Sequence, residues 1–264
     1  MRNCSNADTR SHGRTQFRDT SDNLKRLRVD VDMLAKRCQR GSHMSTRFPS
    51  LMTAARASLC VLLAVPLSAQ RAEQLTGKNV SIAQTNFKGR SAIQVIASPK
   101  AANAASYAVI KDASFRDGTI EVDLAGQPAG GAAEGARGFI GIAFRLQADG
   151  RYEYIYLRPT NGRADDQVRR NHSTQYSSHP DFDFARSRQE APEKYESYVD
   201  LQPGVWTKLK IEVEGRKARL YVHGAEQPCL IVNDLRLDAP EGGVALWVGP
   251  GTEGYFSNLK ITSK

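Results

Sequence analysis

The sequence predicts an all-β protein built as two antiparallel sheets packed face to face. From Asn79 onward, apolar residues recur at every second position in short runs, the period of strands with one buried face. Turn signals separate the runs, among them Asp149-Gly150, Glu214-Gly215 and Glu241-Gly242-Gly243. No helical period intervenes, so the strands have no crossover helices to pair them in parallel.

Asn79 to Ile82 and Ser91 to Ala97 read as an opening pair, followed by Tyr107 to Ile110. In Gly118 to Leu124 the residues Ile120, Val122 and Leu124 share one face, with Glu121 and Asp123 on the other. Residues 125–138 are rich in Gly and Ala and read as a loop. Phe139 to Arg145 gathers Ile140, Ile142 and Phe144 on one face, and Tyr152 to Arg158 follows. Trp206 to Glu214, Lys217 to His223, Cys229 to Asn233, Val244 to Val248 and Tyr255 to Ile261 complete the set.

Upstream lies a leader. Met44 to Ala69 has a basic start (Arg47, Arg56), an apolar stretch from Ala57 to Leu67 of 11 residues, and the small-residue ending Leu67-Ser68-Ala69. This is the three-part pattern of a signal peptide, too short at its core to span a bilayer. Cleavage is expected before Gln70, giving a periplasmic or secreted chain with no membrane span. Cys60 sits early in the apolar stretch, which argues against a lipoprotein. Residues 1–43 are polar and precede a credible start at Met44. An over-extended gene start is the simpler explanation, and Gly41-Ser42-His43-Met44 resembles a tag-cleavage remnant. The expected fold is therefore a single domain over residues 70–264.

Removing the leader changes the charge. The whole chain carries 37 Lys and Arg against 28 Asp and Glu, net +9, but 12 and 5 of these precede residue 70. The remainder is close to neutral, and the basic footprint of a nucleic-acid binder is missing. Cys229 is the one cysteine after residue 70, so no disulfide closes within the domain, and the strand around it buries the thiol.

The alternation also marks residues that leave the core. Tyr152, Tyr154, Tyr156 and Arg158 share a face opposite Ile155 and Leu157. Arg145 lies opposite Ile142 and Phe144, and Trp247 opposite Leu246 and Val248. Tyr221 and His223 likewise lie opposite Leu220 and Val222. Flat rings beside guanidinium forks suit sugars, whose C–H faces stack and whose hydroxyls need donors and acceptors. Cross-strand packing that only stabilises a sheet is the other reading, and alternation does not choose between them.

Pro159 to Lys194 is 36 residues without clear periodicity, long for a compact domain. Its aromatic residues and dense Arg and Asp predict a segment that folds over one sheet and walls a pocket. Asn161, Arg163, Arg170 and Tyr176 are its candidate ligand contacts, beside Arg145, Tyr154, Tyr156, Arg158 and Trp247 from the strands. His172 and His179 are seven positions apart and match no metal motif. Asp165-Asp166 and Asp181 with Asp183 give only a weak calcium signal, so no metal or other cofactor is expected. Gly249-Pro-Gly-Thr-Glu-Gly254 fits a dinucleotide fingerprint by letter, but a strand follows where a helix is required. Asn79-Val-Ser81 and Asn171-His-Ser173 are glycosylation sequons of a kind that arises by chance.

The order of segments resembles the concanavalin A-like lectin/glucanase superfamily, nearest its laminin G-like and 3-keto-disaccharide hydrolase-type domains in exported bacterial proteins. Phe115 to Asp123, Gly138 to Arg145, Tyr152 to Arg158, Gly204 to Val213, Ala218 to Gly224, Gly243 to Gly249 and Phe256 to Ile261 carry the likeness. The resemblance implies a jelly-roll sandwich with any ligand on its concave sheet. The glucanase acid pair is not carried over, because Glu121-Val-Asp123 is followed by Ala125 and Gly126. The expected function is carbohydrate binding. The alternatives are a glycoside-cleaving enzyme acting on oxidised sugars and a protein-binding adhesion domain. In the enzyme, His172 would be the base and Arg158 or Arg145 the oxyanion stabiliser. The sequence leaves the sugar and the oligomeric state open.

Overall fold

The computed structural model describes residues 71–99 and 105–264. The expected leader and upstream segment lie outside these residues. The described residues form fourteen strands, beginning with β1 (Leu75–Lys78), β2 (Val80–Phe87), β3 (Arg90–Ala97), β4 (Tyr107–Ile110), β5 (Gly118–Pro128), β6 (Ile140–Leu146) and β7 (Tyr152–Leu157). Then follow β8 (Thr174–His179), β9 (Glu196–Ser197), β10 (Thr207–Glu214), β11 (Lys217–Val222), β12 (Leu230–Val232), β13 (Gly243–Val248) and β14 (Thr252–Ser263). Two short helices, α1 (Gln167–Asn171) and α2 (Phe184–Glu190), flank β8.

The strands form two seven-stranded antiparallel sheets, a jelly-roll sandwich. The first has the order β1-β4-β13-β6-β7-β8-β9, the second β12-β11-β10-β5-β14-β3-β2. The core lies between them, where Ile142, Phe144, Ile155, Leu157 and Leu246 of the first sheet meet Val95, Val122, Leu124, Leu209, Ile211 and Phe256 of the second. The alternation seen in sequence is the cause: in β5 the odd-facing Ile120, Val122 and Leu124 are buried, and Thr119, Glu121 and Asp123 are half-buried. Lys88 and Gly89, both at positive φ, close the β2–β3 hairpin in two residues.

Three elements depart from the sequence reading. The Gly- and Ala-rich segment is not wholly loop, because β5 runs on to Pro128 and pairs with β14. The 159–194 segment is not irregular: it supplies β8, paired in full register with β7, and both helices. TQYSSH is buried on nearly every residue, so its polar composition shows no period. Finally, the β6–β13 register shifts beside Gly243, a bulge in which Arg145 takes φ 54°. That turns Arg145 out of the alternation that places it beside the tyrosines. No helix among the described residues is long and apolar enough to cross a membrane.

Candidate functional site

The first sheet has a second, smaller apolar cluster on its outer face: Tyr107, Ala143, Tyr152, Tyr156, Ala245 and Trp247, with Phe139 and Tyr154 packed on it. Register explains its assembly. Tyr107, Trp247, Gly141, Tyr156, Gln175 and Glu196 stand opposite one another across six strands. The adjacent row is Val109, Ala245, Ala143, Tyr154 and Ser177. Gly141 and the two alanines form a low floor between large rings. At Gly141 a Cβ would lie 2.7 Å from the Cβ of Tyr156, so no side chain fits.

The rings form a continuous contact. Tyr154 and Tyr156 are near-parallel at 13°, centroids 5.5 Å apart, and Trp247 leans on both at 5.0 and 4.8 Å. Phe139 meets Tyr156 edge-on, and His179 stacks on Tyr152 at 4.9 Å. Tyr107, Tyr152, Tyr156 and Trp247 are buried, and Phe139, Tyr154 and His179 are half-buried. Burial pushes the phenols of Tyr152, Tyr154 and Tyr156 up, so all three stay protonated donors at neutral pH. Two buried polar atoms beside Tyr154 find no hydrogen-bond partner, Trp247 Nε1 and Ser177 Oγ. Each still faces a phenol hydroxyl within hydrogen-bonding influence, Trp247 that of Tyr152 and Ser177 that of Tyr154, and each lowers that phenol against the upward push of burial.

The row ends in a buried ionic group. Arg158 donates to Glu196 Oε1 at 2.7 Å, Gln175 Oε1 at 2.9 Å, the Tyr156 hydroxyl at 3.0 Å and the His172 carbonyl at 3.1 Å. Arg188 binds both oxygens of Glu196, at 2.8 and 2.6 Å. Burial raises the Glu196 carboxyl, but the two guanidinium groups together outweigh it and hold the carboxyl below its ordinary range. His172 Nε2 lies 3.1 Å from Glu193 Oε1 and 3.4 Å from Glu196 Oε2.

The structure thus brings together Tyr154, Tyr156, Arg158, Trp247 and His172, and separates the rest. Arg145 is fully buried at the bulge, donating to Arg116 O (2.9 Å), Asp117 Oδ1 (3.1 Å) and Gly215 O (2.6 Å). It clamps the start of β5 to the β10–β11 turn and is not on the aromatic face. Tyr176 is opposite Ile155, so it points inward, where its hydroxyl donates to Glu153 Oε2 at 2.7 Å. Asn161 is buried and structural, donating to the His172 carbonyl and accepting from Arg169. Arg163 pairs with Asp200 through two bonds, and Arg170 reaches the Tyr198 hydroxyl, both on the surface. Glu196, Gln175 and Ser177 escaped the sequence reading because β8 and the two-residue β9 carry no periodic signal, and Arg188 because the seven-residue α2 is too short to show one.

Asp166 and Asp183, weighed above as calcium ligands, instead cap α1 and α2 by accepting from the backbone of Arg169 and Arg186. Among the described residues no three His, Cys, Asp or Glu side chains gather as a metal site.

No family model matches the chain, and no curated protein matches it. Solved structures do. A carbohydrate-binding module from Bacillus subtilis, named CBM66, is similar at TM-score 0.50 and 18% identity, over 72% of this chain and 96% of that one. A Bacillus subtilis protein of unknown function with a galectin-like fold is similar at TM-score 0.46 and 9% identity, over 73% and 92%. A putative glycosyl hydrolase from Parabacteroides distasonis is similar at TM-score 0.44 and 10% identity, over 74% and 90%. At such identity the likeness to the first of these establishes a shared β-sandwich architecture.

Proposed function

We propose that the chain is an exported carbohydrate-binding sandwich of the concanavalin A-like kind, taking a glycan or small saccharide on the outer face of the first sheet. One observation carries this reading. Tyr154, Tyr156 and Trp247 form a linked ring cluster on the outer face of the sheet, and Tyr154 is half-buried where its neighbours Tyr156 and Trp247 are buried. A sugar would lay its C–H face on the accessible part of the Tyr154 ring, with the phenol hydroxyls as donors and acceptors for its hydroxyls. Arg158 is then a positioning residue, donating to the Tyr156 hydroxyl with its guanidinium over the Tyr156 ring. The similar architecture of a carbohydrate-binding module is consistent with this reading.

The test is a glycan array followed by calorimetry on the best ligand. Tyr154→Ala and Trp247→Ala are expected to weaken binding about tenfold or more. Retention of no glycan across a broad array would move the reading to a protein-binding sandwich. Export belongs to the same proposal: N-terminal sequencing of the protein made in its own cell should begin at Gln70.

A second reading draws on the polar end of the row. His172, beside Glu193, Glu196 and Arg158, would abstract a proton next to the ketone of an oxidised glycoside, with Arg158 stabilising the oxyanion. Full turnover of 3-keto oligosaccharides by His172→Ala would remove that assignment.

A further inference from the structure

The opposite side of the sandwich holds another ring cluster, made of residues the sequence reading passed over. On the outer face of the second sheet, Ala92 of β3, Ala125 of β5 and Tyr255 of β14 sit together, with Phe87 and Trp206 packed on them. Phe87 stacks on Tyr255 with centroids 3.7 Å apart and planes 10° apart. Trp206 meets Phe87 edge-on at 5.8 Å and donates its indole N–H to the Phe87 carbonyl at 3.2 Å. As on the first sheet, large rings lie over small residues. Phe87 and Trp206 are half-buried.

A hydrogen-bond array borders these rings. The Tyr255 hydroxyl donates to Glu253 Oε1 at 2.6 Å, Gln94 Nε2 donates to the same oxygen at 2.6 Å, and Gln127 Nε2 donates to Oε2 at 3.0 Å. Glu253 forms no ion pair among the described residues. Burial pushes its carboxyl up, and the three neutral donors bring it below its ordinary range. Such an array offers carboxylate and carboxamide acceptors next to carboxamide donors, all half-buried and fixed by one another. Two cations flank the rings: Arg90 lies over the Trp206 ring at 5.4 Å and is paired with Asp123, and Lys88 lies over the Phe87 ring at 5.5 Å.

We propose that this face is a second saccharide-binding site, taking a neutral glycan chain. Half-exposed rings match the C–H faces of a pyranose, and adjacent donors and acceptors match vicinal hydroxyls. The one carboxylate in the array has neutral partners, which disfavours an anionic sugar beside it. The face also continues. From Ala125 the outward positions of β5 step through Asp123 to Glu121, opposite Lys208 and Lys210. There a cleft of about 170 Å³ opens, lined by Glu121, Lys208, Lys210, Tyr221, Gly224 and Ala225. Four residues of strand cover roughly 13 Å, room for more than one sugar unit. This site stands independently of the one on the first sheet.

The chain has two tryptophans, Trp206 on the second sheet's face and Trp247 on the first's, so each face carries its own fluorophore. The experiment titrates Trp247→Phe, in which Trp206 reports alone, with linear gluco-, manno-, xylo- and fructo-hexasaccharides and with a galacturonate oligomer. The expected result is a saturable emission change with at least one neutral probe. That change should be lost in Phe87→Ala and in Gln94→Ala, the second of which removes only a hydrogen-bonding arm. Silence of Trp206 toward every neutral probe overturns the proposal. So does a response to galacturonate alone, or an emission shift that follows protein concentration without sugar and marks a protein interface. The reciprocal Trp206→Phe variant reports the first face by itself, so failure there is read separately.

Discussion

Glu196 shows how one side chain controls a local environment. It is buried between Arg158 and Arg188, and its loss would leave two guanidinium groups without their shared counterion. Glu196→Gln is expected to cost about 3–5 kcal/mol in denaturant unfolding. The pH dependence has a defined sign. The folded carboxyl lies below the ordinary 4.5, so its stabilisation is full above that value and is lost as pH falls through the lowered one. Glu153 behaves oppositely. Burial raises its carboxyl despite bonds from Leu237 N and the Tyr176 hydroxyl, so stability falls as pH rises from 4.5 through the raised value. Melting curves against pH should therefore show a shallower acid-side decline in Glu196→Gln, since Glu253 and other lowered carboxyls remain, and a smaller loss above 4.5 in Glu153→Gln. Arg145 supplies a third case. Arg145→Met removes three hydrogen bonds, one of them the ion pair with Asp117, and a drop of about 3 kcal/mol is expected with glycan affinity unchanged. An affinity loss in the folded variant would return Arg145 to the binding site. Period-2 alternation placed Arg145 on the wrong face because alternation assumes an unbroken strand, and the bulge inserts one residue.

Elements were legible where burial is one-sided. β5, β10 and β11 turn one face to the core and read directly from their apolar residues. β8 did not, because both of its faces are covered and its side chains are polar, their hydrogen bonds satisfied by neighbours such as Tyr195 O and Ser197. Tyr176 was misplaced for the same reason: without a recognised strand there is no register to say which way it points. The floor of the aromatic face is an element-scale property too. Gly141→Ala puts a Cβ 2.2 Å from Ile155 O and into the Tyr156 backbone. About 1–3 kcal/mol of destabilisation is expected, with loss of near-ultraviolet circular dichroism as the Tyr156 and Trp247 rings shift. Unchanged dichroism would show that the rings do not depend on that floor.

At the scale of the molecule, one core between two sheets accounts for the fold. Residues 70–264 alone are expected to match the melting temperature of the full chain, and a lower one would assign the first 69 residues a structural part. The sequence by itself determined the all-β class, most strand positions and the presence of rings outside the core. These follow from side-chain period and turn chemistry, which are local. Only the tertiary structure decided which rings meet. Tyr156 faces Trp247, 91 residues away in the chain, because β6 lies between their strands with Gly141 in the shared row. Phe87 of β2 reaches Tyr255 of β14 across β3, which lies between their strands in the second sheet. Such pairings are fixed by strand order and register, and no window of sequence contains both partners.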